Sequence, residues 1–319
     1  MTQDPSQPSP QSGLGADSSR RRFLKLGGAA VLGAGAFTAA ACSNGQATTP
    51  SINAAAAGSE SLLFKWQKTG KARLGVDLSF PPIQYIDPAT HKPTGYQVEL
   101  TEMMMTDLGI TPEWVQIPFA ELFAGLAANK FDMSGISATI LPSRALKVGF
   151  ADFPVYYESN VILLKPGSKV TTLAQLNTPG TVVAVLLGSS QQYTGQLILP
   201  KAKILPLSLI TDQVNEVATG RADAVLFSTF NLAQAFSAYP NLKMLPVGTI
   251  FVDANAYFMP LGDYMLRNWV TNWLRYYAAH NTLKELWLKW FGNQVISQYH
   301  IPVVAVDPGG DAETVGTVG

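Results

Sequence analysis

The sequence predicts an α/β protein of two lobes, in which each lobe is a mostly parallel β-sheet flanked by helices. Two observations lead to this prediction. Apolar segments of strand length alternate with amphipathic segments of helix length, which is the order that βαβ units produce. The alternation occurs in two series, and the extended stretches 159–165 and 253–261 connect them as a two-strand hinge.

The two series place the elements as follows. The first predicts strands at 72–76, 111–116 and 131–134, and helices at 95–108 and 119–128. The second predicts strands at 181–187 and 222–227, and helices at 189–199, 212–219 and 231–238. Ligands of open α/β sheets bind beyond the carboxyl ends of the strands. The groove between the lobes is therefore the expected binding site.

Residues 1–41 have the pattern of an export leader. The basic segment S-R-R-R-F-L-K at 19–25 precedes an apolar run of about 16 residues, which is shorter than the roughly 20 residues of a membrane-spanning helix. The adjacent arginines resemble a twin-arginine (Tat) signal. The segment T-A-A-A-C at 38–42 resembles a lipobox, which makes Cys42 the expected lipidation site. Thr38 stands where leucine is usual, so cleavage without lipidation is the alternative.

The remaining chain divides into four parts. We expect a flexible tether at 42–62, a first lobe at 63–160 plus 257–301, a second lobe at 161–256 and a disordered tail at 302–319. Cys42 is the only cysteine, so the lobes contain no disulfide bond. An ordinary hydrophobic core must therefore stabilise them.

Composition and charge exclude several functions. Lys plus Arg and Asp plus Glu both number 22, and residues 42–319 contain no basic block. This balance argues against nucleic acid as a partner and against membrane contact other than a lipid anchor. The three histidines lack metal-ligand spacing, and no nucleophile–base pair is evident. We therefore expect no catalytic residue, no metal and no cofactor, and we expect a monomer.

Six short blocks occur in the chain in a characteristic order. They are V-D-L-S-F-P-P-I at 76–83, G-Y-Q-V-E-L at 95–100, K-F-D-M at 130–133, L-P-S-R at 141–144, F-A-D-F-P-V-Y-Y at 150–157 and G-S-S at 188–190. Across roughly two thirds of its length, the chain resembles the family 3 extracellular solute-binding proteins of ABC importers. The resemblance implies a periplasmic-binding-protein type II fold, a location outside the cytoplasm, ABC permease subunits as partners and a small-molecule ligand.

Two segments have the chemistry of an anion site. Arg144 follows Pro142, which suits the first turn of a helix, and a guanidinium there can hold a carboxylate in a bidentate manner. Ser189, Ser190 and Gln191 follow Gly188 at a helix start, where several backbone amides are free to face an anion. The alternatives are a surface ion pair for Arg144 and an ordinary N-cap for the serines. The resemblance implies that both segments hold the ligand's α-carboxylate.

The resemblance implies three further ligand contacts. Ser137 and Thr139 match hydroxyl positions of the family, although ordinary turn chemistry also favours such residues. Phe80 matches the aromatic wall over the ligand's side chain, and its alternative role is a core aromatic. Tyr85 and Glu121 are weaker candidates for the lining of the groove.

Ser228 departs from the family pattern. Amino-acid binders carry an aspartate eight residues after the glycine of G-[RK]-x-D-A, where it pairs with the ligand's ammonium group. The segment G-R-A-D-A at 220–224 is intact, with Asp223 as a structural residue, but the eighth position is Ser228. Losing a buried charge partner costs about 3–5 kcal/mol. Either Asp77 or Glu121 supplies the charge, or the ligand of this carboxylate-binding site lacks an α-ammonium group.

Three functions remain open at this point. The first is a tethered receptor that binds a carboxylate-bearing solute, such as an amino acid, and delivers it to an ABC permease. The second is a periplasmic cyclohexadienyl (arogenate/prephenate) dehydratase, which segments 173–180 and 256–273 resemble. The acidic residue of those enzymes aligns near Asn231, which cannot act as an acid. The third is a sensor that contacts another membrane protein. The aromatic segment 268–290 predicts a helix packed on the first lobe, with a partner face as the alternative.

Overall fold

The computed structural model describes residues 61–299, and side chains are described for 61–291. The predicted leader, Cys42, almost all of the predicted tether and the tail at 302–319 lie outside these residues. Within residues 61–299, no helix has both the length and the apolar character needed to cross a membrane.

The elements follow the predicted alternation and add several short strands. The first group contains α1 (Leu62–Thr69), β1 (Lys71–Val76), β2 (Ser79–Phe80), β3 (Gln84–Ile86), β4 (Pro93–Thr94), α2 (Tyr96–Asp107), β5 (Thr111–Gln116), α3 (Leu122–Ala127), β6 (Met133–Ser134), β7 (Ser137–Thr139), α4 (Pro142–Ala145) and β8 (Val148–Phe150). The strand β9 (Tyr156–Leu164) leaves this group.

The second group follows β9. It contains α5 (Leu173–Leu176), β10 (Val182–Leu186), α6 (Ser190–Ile198), β11 (Lys203–Leu207), α7 (Ile210–Ala218), β12 (Ala224–Ser228), α8 (Leu232–Ala238) and β13 (Lys243–Met244). The strand β14 (Phe251–Pro260) returns to the first group, which ends with α9 (Tyr264–Ala279) and α10 (Thr282–Tyr299). We call the group that contains α1 to β8, α9 and α10 the first lobe, and the group α5 to β13 the second lobe.

Each lobe contains a parallel sheet, as the alternation predicts. In the first lobe, β5, β1 and β6 pair in parallel in that order. In the second lobe, β11, β10 and β12 pair in parallel, and β12 pairs antiparallel with β9. Helices cover these sheets because each strand feeds an amphipathic segment that must bury its apolar side.

The strands β9 and β14 connect the lobes. They pair antiparallel, with Tyr156 to Asn160 opposite Phe251 to Asn255. Beyond this segment, β9 pairs with β12 in the second lobe, whereas β14 pairs with β7 and β8 in the first. The two strands contain all but the last residue of each stretch that the sequence predicts as a hinge. The lobe boundaries near residues 160 and 256 stay predictions, because both strands continue across them.

Packing of the carboxy-terminal aromatic residues agrees with the predicted helix on the first lobe. Trp273 and Trp287 are buried in the core that also contains Leu74 and Tyr96. The Trp287 ring lies 5.3 Å from the ring of Tyr96 and 5.5 Å from the ring of Phe230 in the second lobe. The helix α10 therefore contacts both lobes next to the hinge.

Asp223 has the structural role that the sequence predicts. Its carboxylate accepts a hydrogen bond from Lys165 Nζ at 2.6 Å and another from the backbone N–H of Val182 at 2.9 Å. These bonds join the start of β12 to β9 and β10. Asp223 is thus fully used in holding strands together and is not the missing charge partner for a ligand.

Candidate ligand-binding site

A cavity lies between the lobes, beyond the carboxyl ends of β1, β10 and β12 and beside the hinge strands. The cavity has a volume of about 60 Å³. Eight of the residues proposed from the sequence line this cavity: Asp77, Phe80, Ser137, Thr139, Ser189, Ser190, Gln191 and Ser228. The fold therefore brings together side chains that are up to 151 positions apart in the sequence.

Arg144 is the exception, because it does not line the cavity. Its side chain is only 7% exposed and lies between the lobes. Nη1 donates a hydrogen bond to the carbonyl oxygen of Thr139 at 2.8 Å, and Nη2 donates to the carbonyl oxygen of Gly188 at 2.7 Å. The guanidinium carbon also lies 4.6 Å from the ring centre of Phe123. In this structure Arg144 joins the two lobes, and its contact with a ligand carboxylate stays a prediction.

Burial lowers the pKa of Arg144 to about 10, while the negative charges of Asp253 and Glu158 act in the opposite direction. The guanidinium remains charged at neutral pH. A buried arginine needs partners for its N–H groups, since an unpaired buried charge is costly. The carbonyl group of Thr139 is in the same lobe as Arg144, whereas that of Gly188 accepts its hydrogen bond only when the lobes are close to each other.

Gly188 permits this close approach. Its φ of +76° lies in the region that favours glycine. A Cβ atom at this position would lie 3.0 Å from the Cα atom of Ala120 in the first lobe. A larger residue would push the lobes apart at the point where Arg144 joins them.

The expectation that the Gly188–Gln191 loop offers several free amides is wrong for its first two residues. The N–H of Gly188 donates to Gln192 Oε1 at 2.7 Å, because the Gln192 side chain folds back over the first turn of α6. The N–H of Ser189 donates to the carbonyl oxygen of Leu186 at 3.2 Å. Ser189 Oγ caps α6 by accepting from the N–H of Gln192. Ser189 thus has the ordinary N-cap role, and its contact with a ligand stays a prediction.

Ser190 and Gln191 belong to a buried polar network that crosses the cleft. Ser190 Oγ donates to Asp253 Oδ2 at 2.6 Å, and Thr139 Oγ1 donates to Ser190 Oγ at 3.2 Å. Gln191 Nε2 donates to Asn160 Oδ1 at 2.7 Å, and Asn160 Nδ2 donates to Asp253 Oδ2 at 3.1 Å. Burial raises the pKa of Asp253, and these hydrogen bonds oppose the rise. The network links both lobes to a carboxyl group on β14.

Glu158 is a cavity residue that the sequence reasoning missed. It lies on β9 and is 6% exposed. Asn255 Nδ2 donates to its Oε2 at 3.4 Å, and the nearby Ser228 side chain acts to lower its pKa. Burial raises the pKa of Glu158 to about 7, and the nearby charge of Asp253 adds to the rise. The single charged residue in the strand Y-Y-E-S-N-V-I-L-L was the available signal.

The structure separates the two carboxylates that the sequence offers as a replacement for the missing aspartate. Glu121 does not line the cavity; it is exposed and lies 3.9 Å from Lys130 in an ion pair. Asp77 lines the cavity, but its Oδ1 accepts from the N–H of Ser79 at 2.9 Å and its Oδ2 accepts from the N–H of Phe119 at 2.6 Å. Tyr85 is not part of the lining.

Half of the remaining lining residues are apolar or aromatic, and half are polar. Phe80, the proposed aromatic wall, packs partly against the cores of both lobes. Asn231 is buried, and its Oδ1 atom has no hydrogen-bond partner among the residues that the structure describes. Ile210, Phe227 and Asn231 also line an adjoining pocket of about 200 Å³ between α7 and α8. Space for part of a ligand therefore extends into the second lobe.

No group of three or more His, Cys, Asp or Glu residues in the described part of the chain is arranged to hold a metal ion. The site's charged groups are instead one guanidinium and three carboxyl groups, each close to the cleft: Arg144, Asp77, Glu158 and Asp253.

Glu158 makes a testable contribution to stability. In the unfolded chain its carboxyl group has its ordinary pKa near 4.5, whereas in the folded protein its pKa is about 7. Between these values the folded protein retains a proton that the unfolded chain releases, so the free energy of unfolding falls as pH rises and levels off above pH 7. The free energy of unfolding of Glu158→Gln, measured in urea and relative to wild type, should therefore increase by about 2–3 kcal/mol from pH 5 to pH 8. An equal difference at both pH values would contradict this assignment.

Comparison with known proteins places this geometry in a family. The family model for bacterial extracellular solute-binding proteins, family 3, matches residues 72–293. A Sinorhizobium fredii protein named "Probable amino-acid ABC transporter periplasmic-binding protein y4tE" is 29% identical over 147 residues, which are 45% of this chain and 49% of that protein. The chain thus matches about half the length of this relative.

Two further comparisons cover more of the chain. The crystal structure of "the ancestral amino acid-binding protein AncCDT-1, a precursor of cyclohexadienyl dehydratase" is 29% identical, with a TM-score of 0.65 over 72% of this chain and 99% of that one. The cyclohexadienyl dehydratase of Pseudomonas aeruginosa is 22% identical over 72% of this chain and 86% of the enzyme. With more than half of its residues matched by the family model, the chain belongs to the bacterial extracellular solute-binding proteins, family 3.

Proposed function

We propose that the protein is the substrate-binding component of an ABC importer and that it captures an amino acid or an amino-acid-like solute bearing a carboxylate. The cavity beside the hinge is the observation that carries this proposal. Polar side chains reach it from both lobes, and two strands connect the lobes beside it. Such an arrangement suits a receptor that closes on its ligand by a hinge motion.

The chemistry of Arg144 supports the carboxylate part of the proposal. A guanidinium has five N–H groups, and two hydrogen bonds to backbone carbonyl oxygens use only part of them. A ligand carboxylate that enters beside Thr139 and Ser190 can accept from the remaining donors. The bidentate geometry would strengthen the contact. The same carboxylate would then contact both lobes.

The proposal includes location and partners. The family consists of extracellular proteins, so the receptor works outside the cytoplasm. The leader at residues 1–41 directs export by the Tat route, and a lipid on Cys42 anchors the receptor at the membrane. The receptor acts as a monomer and delivers its solute to permease subunits. The leader sequence supports the export step, and the family supports the partnership with a permease.

A binding survey tests the central part of the proposal. Thermal-shift and calorimetric titrations of the purified protein with the common L-amino acids should identify at least one that binds. Arg144→Ala should weaken that binding by about 100-fold, since truncating one partner of a buried charge pair costs about 2–5 kcal/mol. Arg144→Lys should recover only part of it, because lysine cannot bind in a bidentate manner.

Arg221→Ala provides the matched control. Arg221 is an exposed arginine that pairs with Glu216 in the second lobe and does not line the cavity. Its loss should leave the affinity within a factor of two. Failure of every amino acid to bind, or unchanged affinity in Arg144→Ala, would contradict the proposed function.

A dehydratase is the second candidate, and one observation favours it. Glu158 is a carboxyl group in the cavity whose pKa is raised to about 7, which is the range that a general acid needs at neutral pH. Against this, the position that aligns with the enzymes' acidic residue is Asn231, which has no acidic proton to donate. The binding function is therefore the better supported of the two.

A turnover assay separates the two functions. We expect no phenylpyruvate above background when the purified protein is incubated with prephenate and product is followed by absorbance. Phenylpyruvate formation that disappears in Glu158→Gln would show that the protein is an enzyme. The Asp152→Asn variant is a suitable control because Asp152 is an exposed acid that pairs with Arg267, away from the cavity.

A further inference from the structure

The charges that line the cavity are unbalanced for a zwitterionic ligand. Among the described residues, the lining contains two carboxyl groups, those of Asp77 and Glu158, and no lysine or arginine. A buried ammonium group without a carboxylate partner would cost several kcal/mol. This inference rests on the proposed function. If that function is correct, one of the carboxyl groups near the cavity must accept the ligand's ammonium group.

Three of the four candidate carboxylates are already used or lie elsewhere. Both oxygens of Asp77 accept backbone N–H groups at 2.9 Å and 2.6 Å. Glu121 is exposed and lies outside the lining. Asp253 accepts hydrogen bonds from Ser190 Oγ and Asn160 Nδ2, and it is not part of the lining either.

Glu158 has more unused acceptor capacity than the others. No ion pair among the described residues includes it, and its bond from Asn255 Nδ2 is long, at 3.4 Å. A carboxylate has about four lone-pair positions. Within the cavity, Glu158 can therefore accept further hydrogen bonds from a ligand.

The sheet register explains how Glu158 reaches the place where Ser228 leaves a gap. In the antiparallel pair of β12 and β9, Ser228 lies opposite Asn160. Glu158 is two residues from Asn160 on the same strand, so its side chain lies on the same face as Asn160 and diagonal to Ser228. The short serine leaves room for the longer glutamate of the neighbouring strand, and both side chains line the cavity.

We propose that Glu158 on β9 accepts the ligand's ammonium group and so supplies, from the neighbouring strand, the negative charge that Ser228 on β12 lacks. The ligand class is then an α-amino acid or a related solute with both a carboxylate and a protonated amine. A hydroxy acid or a dicarboxylic acid without an amine would leave Glu158 unpaired.

Binding should also depend on pH. The charged and titratable groups that face Glu158 are Arg144 from α4, Asp253 from β14 and Tyr156 from its own strand. Burial raises the pKa of Glu158 to about 7, so below pH 7 the ligand must displace a proton from it. The apparent affinity for an amino acid should therefore increase about ten-fold from pH 6 to pH 8.

The test compares amino acids with their 2-hydroxy acid analogues, which keep the carboxylate and lack the ammonium group. Calorimetry on the purified protein uses the L-amino acid with the largest thermal shift and its hydroxy analogue. The amino acid should bind wild type about 100-fold more tightly than the analogue. Glu158→Gln should remove this preference and the pH dependence, while changing the affinity for the analogue less than three-fold.

A second variant guards against a purely structural effect of Glu158→Gln. Adding Ser228→Asp to Glu158→Gln returns a carboxylate from β12 and should restore the preference for the amino acid. Glu216→Gln, on the surface of the second lobe, is the matched control and should bind like wild type. Should Glu158→Gln not fold, calorimetry of wild type in two buffers of different ionisation enthalpy still measures the predicted proton release at pH 6.

Two results would overturn the proposal, and they differ in meaning. If amino acids bind Glu158→Gln as tightly as wild type, or if Asp77→Asn rather than Glu158→Gln loses the amino-acid preference, Glu158 is not the ammonium partner and the proposed function stands. If neither amino acids nor their hydroxy analogues bind wild type, the proposed function itself fails, and this inference fails with it.

Discussion

The guanidinium of Arg144 is the group on which the closed arrangement depends. It is buried between the lobes and donates to the carbonyl oxygen of Thr139 on one side and of Gly188 on the other. Separating the lobes would break one of these bonds and expose the guanidinium to water, whereas closure buries it. Gly188 permits the short distance to Ala120 that this requires. A ligand that pairs with Arg144 would thus favour closure directly, because Arg144 would then both contact the ligand and join the two lobes.

The charged groups around Arg144 suggest how a zwitterionic ligand can bind between the lobes. One cation, Arg144, lies near two buried carboxyl groups, Glu158 and Asp253, and burial raises the pKa of both. Without a ligand, a proton on one of them lowers the electrostatic cost of the site. An incoming ammonium group can take the place of that proton, and an incoming carboxylate can take N–H groups of Arg144 that the backbone leaves unused. The site's total charge then changes little on binding, which limits the cost of desolvation.

Much of the fold and part of the cavity could be predicted from the sequence, because both follow from local patterns. Alternating periodicity located β1, α2, β5, β10 and α7, and the ordered short blocks, together with the further positions that the family resemblance implies, located eight cavity residues. The partners of these residues could not be predicted. Arg144 bonds to backbone carbonyl oxygens. Gln192 accepts a hydrogen bond from the Gly188 N–H, which was expected to be free. Glu158 reaches the gap at Ser228 only through the pairing of β9 with β12. Each depends on register or on tertiary proximity, which single-sequence patterns do not contain.

A crystal structure of the protein with a bound L-amino acid tests this account most directly. The account predicts that the ligand's nitrogen lies about 2.7–3.2 Å from a carboxylate oxygen of Glu158 and that its carboxylate accepts N–H groups of Arg144. Either of two results would contradict this account. In the first, the ligand's nitrogen contacts Asp77 instead; in the second, its carboxylate lies away from Arg144, which still bonds only to Thr139 and Gly188.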